Sequence, residues 1–169
     1  AHGKWKTPLG LYPEYETMVS FGHYLLNDNV EAIIHLNHLC NINGVDTISC
    51  GNAIAFAMEG YEKGWISSAD VDGLELSWGN MDAVKTLVEK IIAREGLGNL
   101  LGEGVRSAAE VIGQDSYEAA MHVKGLELTA YHPAAILGSA LGYAVSSRGG
   151  DYNNIYASME HRWPAQQGA

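Results

Sequence analysis

A chain of 169 residues with 20 acidic against 10 basic side chains and a formal net charge of -10 offers no basic stripe to neutralise phosphates, which excludes a nucleic-acid partner. At 47% hydrophobic and 18% charged it has the material for one domain with a real core and is not a disordered chain. No apolar run reaches the length of a membrane span, no signal segment opens the chain, and two cysteines, Cys40 and Cys50, fit a reducing compartment, so the reading is non-membrane and cytoplasmic.

Residues 1–12 read as a Gly-, Pro-, Lys- and Trp-containing tail, after which Pro13-Glu14-Tyr15-Glu16-Thr17 has the form of a helix start, with acids against the positive dipole end. Met18, Val19 and Phe21 are its expected buried residues. Asn27-Asp28-Asn29 should launch a second helix through Glu31–Asn43, with Ile33, Leu36, Leu39 and Cys40 at helical period. Gly44 should end it in a left-handed conformation. Asp46, Thr47 and Ser49 can accept from the unpaired N–H groups of a third helix that runs to about Gly60 or Gly64. A polar connection from Ser67 to Asn80 leads to an amphipathic helix with Ala83, Val84, Leu87, Val88, Ile91 and Ile92 on one face. Leu97–Gly104 reads as a glycine-spaced link, and a short helix follows through Val105, Ala108, Ala109 and Ile112. His122–Leu128 should be extended or irregular, and Pro133 should open a small-residue helix, Ala134–Val145, before a polar loop from Ser146 to Asn154. The period is helical almost throughout, so the expected class is mainly α, an irregular multi-helix domain. The divisions are 1–12 as tail, 13–121 as helical domain, and 122–169 as the loop-rich start of a further helical domain.

Local chemistry leaves several readings open. Glu14 and Glu16 suit either dipole partners or an acid–base pair. Glu31, His35 and His38 share one helix face, which suits a solvated surface or a metal face. Cys40 and Cys50 lack a C-x-x-C partner and read as buried structural thiols. Arg148-Gly149-Gly150-Asp151 is a weak candidate for a phosphate-type backbone loop. The Asp46–Ser49 helix start could hold a polar ligand or be an ordinary cap.

Several stretches, taken in order, resemble the aldehyde ferredoxin oxidoreductase family. They are Pro13–Thr17, Leu39–Ser49, Asn52–Glu59, Ala93–Gly98, Leu101–Val105, Lys124–Tyr131 and Leu141–Asp151. The resemblance implies a helical middle domain and a tungsten bis-pyranopterin cofactor. It also implies a [4Fe–4S] cluster and oxidation of a small aldehyde to its acid, with electrons leaving to ferredoxin. It places Glu16 at the family's proton-handling glutamate. Asn41-Ile42-Asn43-Gly44-Val45-Asp46 matches the family pattern D-x-x-G-L-D/C, which puts Asn41, Asp46 and Thr47 against a pterin. Arg148 and Asp151 match the later cofactor loop, and Tyr152 stands where the family often has a histidine. A phenol titrates far above imidazole and is a poor base at neutral pH, so Tyr152 is read as an orienting donor. The family's cluster cysteines and β-rich base domain have no counterpart here, and the chain starts at Ala1. The expectation is therefore an internal segment, inactive alone, with no cofactor bound to it and the missing N- and C-terminal domains as partners. A homodimer is admitted. The alternatives are another branch, such as the tungsten subunit that reduces aromatic acyl-CoA rings, or a non-catalytic helical scaffold.

Overall fold

The computed structural model describes residues 3–151, and Tyr152 lies outside them. Among the described residues seven α-helices dominate: α1 (Tyr15–Phe21), α2 (Val30–Asn43), α3 (Thr47–Glu62), α4 (Met81–Ala93), α5 (Leu97–Leu101), α6 (Val105–Ile112) and α7 (Leu137–Val145). Between α6 and α7 lies one antiparallel pair, β1 (His122–Val123) and β2 (Leu126–Glu127), with His122 opposite Glu127. The mainly α architecture is the one the helical period implied.

Local signals set most boundaries. Asn29 caps α2 by accepting the Ala32 N–H, and Asn80 caps α4 by accepting that of Ala83, each satisfying a donor the helix leaves unpaired. Gly44 ends α2 at φ 69°, where a side chain would be strained. Asp46 opens α3 by accepting the Ser49 N–H at 2.7 Å. The core forms where α2, α3 and α4 meet, around Leu36, Ile54, Met58, Val84, Leu87 and Val88. The 67–80 connection is polar on its surface yet anchors itself through the buried Val71 and Leu76.

Three expectations change. In α1 the buried residues are Glu16, Thr17, Ser20 and Phe21, while Met18 and Val19 are only half-buried. The helix turns a largely polar face inward because that face meets the start of α3. Residues 97–101, expected as a link, form the short helix α5 against α4. The small-residue helix α7 begins at Leu137 instead of Ala134, because the 132–136 turn is held by Ile136 N–H to the His132 carbonyl and Ala134 N–H to the His132 ring.

Candidate functional site

Helices α1 and α3 approach closely at one point. A Cβ at Gly51 would lie 2.5 Å from the Ser20 Cβ and 2.8 Å from its carbonyl oxygen, so only glycine permits this spacing. Two consequences follow along the seam. The hydroxyls of Thr17 and Thr47 meet at 2.8 Å, joining the Glu16 helix to the first residue of α3. Ser20 bonds back to the Glu16 carbonyl at 2.8 Å. The turn that opens α3 and the helix that bears Glu16 are therefore tied directly together.

Glu16 is buried, 7% exposed. Its Oε2 accepts the Ala130 N–H at 2.9 Å, while its Oε1 is enclosed without a hydrogen-bond partner. Burial raises the pKa of this carboxyl above the usual carboxylate value; the Ala130 N–H opposes the rise, and the nearby charge of Asp46 adds to it. A buried acid with one oxygen held and the other without a partner is suited to hold a proton more readily than an exposed carboxylate. Glu14, in contrast, is exposed. The two acids do not form a pair.

The donor to Glu16 belongs to a strap, residues 126–131, that is pinned in turn by four helices. Glu127 Oε1 accepts the Val105 N–H that opens α6, at 2.8 Å, and Asn52 of α3 donates to the Leu128 carbonyl at 3.1 Å. Tyr143 of α7 bonds Thr129 and the Tyr131 carbonyl. Ala130 serves Glu16 of α1. Sequence reasoning missed Thr17, Tyr143 and the strap. The polar spacing Glu16, Thr17, Ser20 on a short helix was the available signal.

The Arg148–Asp151 loop backs onto the same strap. A Cβ on Gly150 would come within 2.6 Å of the Leu126 and Glu127 carbonyl oxygens, and one on Gly149 within 2.4 Å of the Val123 carbonyl. These glycines are accounted for by backbone packing. Lys124 donates to the Ser146 carbonyl at 2.6 Å. Asp151 is buried and ion-paired to the exposed Arg148 at 2.8 Å.

Asn41 lies at the other end of the 41–46 turn, exposed, with its amide donating to Asn37 Oδ1 at 3.1 Å. Asp46 is exposed and Thr47 half-buried, and beside them opens a hollow of ≈ 430 Å³ lined by Gly44, Asp46, Ser49, Arg94, Gly125 and Glu127. A pterin is a flat group edged with N–H donors and acceptors. An exposed carboxylate, a hydroxyl and the first N–H groups of a 16-residue helix fit such an edge. A cluster is a different case. Cys40 and Cys50 are both buried thiols; a hydrogen bond between them, together with burial, pushes the Cys50 pKa well up. No group of three or more His, Cys, Asp or Glu that could hold a metal ion occurs among the described residues. His35 packs edge-on to the Trp5 ring, centroids 5.7 Å apart, and its pKa is lowered by burial and by Lys85.

A second cleft, of ≈ 620 Å³, opens beside the Glu16–Ala130 contact. Its walls include Tyr15, Tyr24, Phe56 and Trp78, with Thr129 and Ala130 at the strap. Neither lysine nor arginine lines it. The Tyr24 phenol there is pushed up to about 12, by burial first and then by the charges of Glu16, Tyr143 and Tyr15. Among the described residues, no helix is long and apolar enough to cross a membrane.

Comparison with known proteins gives a consistent family. The family model described as aldehyde ferredoxin oxidoreductase, domains 2 and 3, matches residues 1–168. The tungsten-containing aldehyde ferredoxin oxidoreductase of Pyrococcus furiosus is 44% identical over 145 residues, covering 85% of this chain and 24% of that protein. The enzyme of the same name from Thermococcus kodakarensis is 42% identical over the same length and shares. An aliphatic sulfonate oxidoreductase, WOR-like subunit, of Pyrococcus furiosus is 35% identical over 162 residues, 92% of this chain and 26% of that one. Among solved structures, the active site complex BamBC of benzoyl coenzyme A reductase, in complex with 1,5-dienoyl-CoA, superposes with a TM-score of 0.67 at 25% identity. That match covers 84% of this chain and 22% of the other. The chain spans about a quarter of the length of the relatives it matches, and it belongs to the aldehyde ferredoxin oxidoreductase family.

Proposed function

We propose that the full-length protein oxidises an aldehyde to a carboxylic acid at a tungsten-pterin centre, and that this segment supplies the proton acceptor and one face of the cofactor cradle. The observation that supports this most is Glu16: a buried carboxyl whose Oε1 lacks a partner, bonded to Ala130 at the wall of the aromatic-lined cleft and on the helix tied to the Asp46–Thr47 turn. Aldehyde plus water yields the acid, two protons and two electrons. The bound cofactor would supply the redox and oxygen-transfer chemistry. This chain's residues supply the rest. Asp46 and Thr47 would hold the pterin edge, with Asn41 at the far end of the same turn and Arg148 and Asp151 at the later loop. Glu16 would take a proton at Oε1 while the Ala130 N–H keeps Oε2 in place. The aromatic cleft, with Glu59 on its wall and neither lysine nor arginine, would disfavour an anionic substrate and suit an uncharged one. Tyr152 would orient the substrate oxygen. The cluster ligands and the acceptor contact, read as ferredoxin, would come from the rest of the longer chain, with 122–169 opening its next helical domain.

The test is Glu16→Gln in the full-length protein, which should abolish most turnover with aldehyde and viologen while leaving tungsten and iron content intact. Reduction of an aromatic acyl-CoA ring is the second reading, favoured by the fold match to the benzoyl coenzyme A reductase complex. Assaying both substrate classes separates them.

A further inference from the structure

The carboxyl of Glu16 is held at one oxygen by a single main-chain donor, so whatever fixes that peptide fixes the acid. Ala130 sits in an irregular stretch with no sheet ladder of its own, since β2 ends at Glu127. Something else must define its orientation. Tyr143, on α7 and 3% exposed, reaches both residues that flank it. Its Oη lies 2.8 Å from the Thr129 Oγ1 and donates to the Tyr131 carbonyl at 3.2 Å. A phenol has one proton. With that proton given to the Tyr131 carbonyl, the Thr129 hydroxyl must donate to the phenol oxygen. The two bonds bracket Ala130.

We infer that Tyr143 is a positioning residue for Glu16, its phenol bracing the strap so that the Ala130 N–H stays aimed at Oε2. The inference rests on the reading of Glu16 as the proton acceptor, but its geometric content is independent of turnover. The brace also explains why a helix of small residues carries one large buried polar side chain at this position. α7 contributes its buried residues Ser139, Gly142 and Tyr143, and Tyr143 is the one long enough to reach the strap. The other titratable groups whose charges act on or respond to Glu16 are Asp46 at the start of α3 and Tyr24; neither bonds the strap in the way Tyr143 does.

The experiment uses the full-length protein. The proton affinity of Glu16 is read from its infrared carboxyl band, assigned by its loss in Glu16→Gln, and titrated in wild type, Tyr143→Phe and Thr129→Val. Loss of a hydrogen bond to the charged form is worth about one pH unit. Both brace variants should therefore move the Glu16 titration up by roughly half to one unit. The limb of the rate profile that reports this acid should move with it at unchanged KM. Thr129→Ser, which keeps the hydroxyl, should restore the wild-type titration. Tyr117→Phe, at an exposed tyrosine, serves as control and should leave it unmoved. A Glu16 titration that stays at its wild-type position in folded Tyr143→Phe and Thr129→Val overturns the inference. Full turnover in Glu16→Gln, with the brace variants still shifting the band, removes the acid from the mechanism and leaves the positioning role standing.

Discussion

Glu16 and Ala130 are 114 positions apart in the chain, yet the main-chain N–H of one lies 2.9 Å from the carboxylate Oε2 of the other. The bond joins the first helix to a segment that follows the sixth. It crosses the seam between the α1–α3 unit and the strap, and it selects which carboxylate oxygen is held and which is left without a partner.

The first prediction concerns stability against pH. Glu16 in the folded protein binds its proton more tightly than in the unfolded chain, because burial outweighs the Ala130 N–H. A raised pKa of an acid means that its contribution to stability is complete below the ordinary carboxylate value. It is lost as pH rises through the folded value. Glu16→Gln should flatten this part of the stability profile above the ordinary carboxylate range, followed by thermal midpoints. A wild-type slope retained in the variant would count against the burial argument.

Asp46 has two separable roles. Its side chain caps α3 through the Ser49 N–H, and its charge pushes the Glu16 pKa up. Asp46→Asn keeps an acceptor for the cap and removes the charge, so it should lower the Glu16 titration with little loss of stability. Asp46→Ala should lower the titration and also cost about 1 kcal/mol of stability through the lost cap. Denaturant unfolding and the pH–rate profile read the two effects apart.

Gly51→Ala places a methyl group against Ser20 backbone and Cβ, atoms that cannot rotate away. The expected cost is about 1–3 kcal/mol in denaturant unfolding. Widening the α1–α3 seam should also stretch the Thr17–Thr47 contact. A change of less than a few tenths of a kcal/mol would mean that the helices separate freely at this point.

Much of the fold was legible because it rests on short-range rules. Asn29, Gly44, Asp46 and the 3.6-residue spacing of Val84, Leu87, Val88 and Ile91 act within a few residues of themselves, and the helices start, stop and bury accordingly. α1 was misread in its burial because its inward face is polar, and periodicity of apolar residues carries no information about such a face. The site was less legible still. Motif resemblance brought out Glu16, Asp46 and Thr47, but the partners that give Glu16 its environment come from Ala130, Asn52 and Tyr143, which no local spacing connects. Arg148-Gly149-Gly150-Asp151 shows the converse. The sequence suggested a backbone cradle for an anion, whereas Gly149 is required by the Val123 carbonyl and Gly150 by the Leu126 and Glu127 carbonyls pressed against it. Gly150→Ala should accordingly disturb the strap and the Glu16 titration together, which infrared spectroscopy of the same carboxyl band would detect.

The most direct measurement of the central claim is turnover of full-length Glu16→Gln with an aldehyde substrate, made alongside its tungsten and iron content. With Glu16 as the proton acceptor, metal content should equal that of the wild type while turnover falls by about a hundredfold or more. Wild-type turnover at wild-type metal content would contradict it.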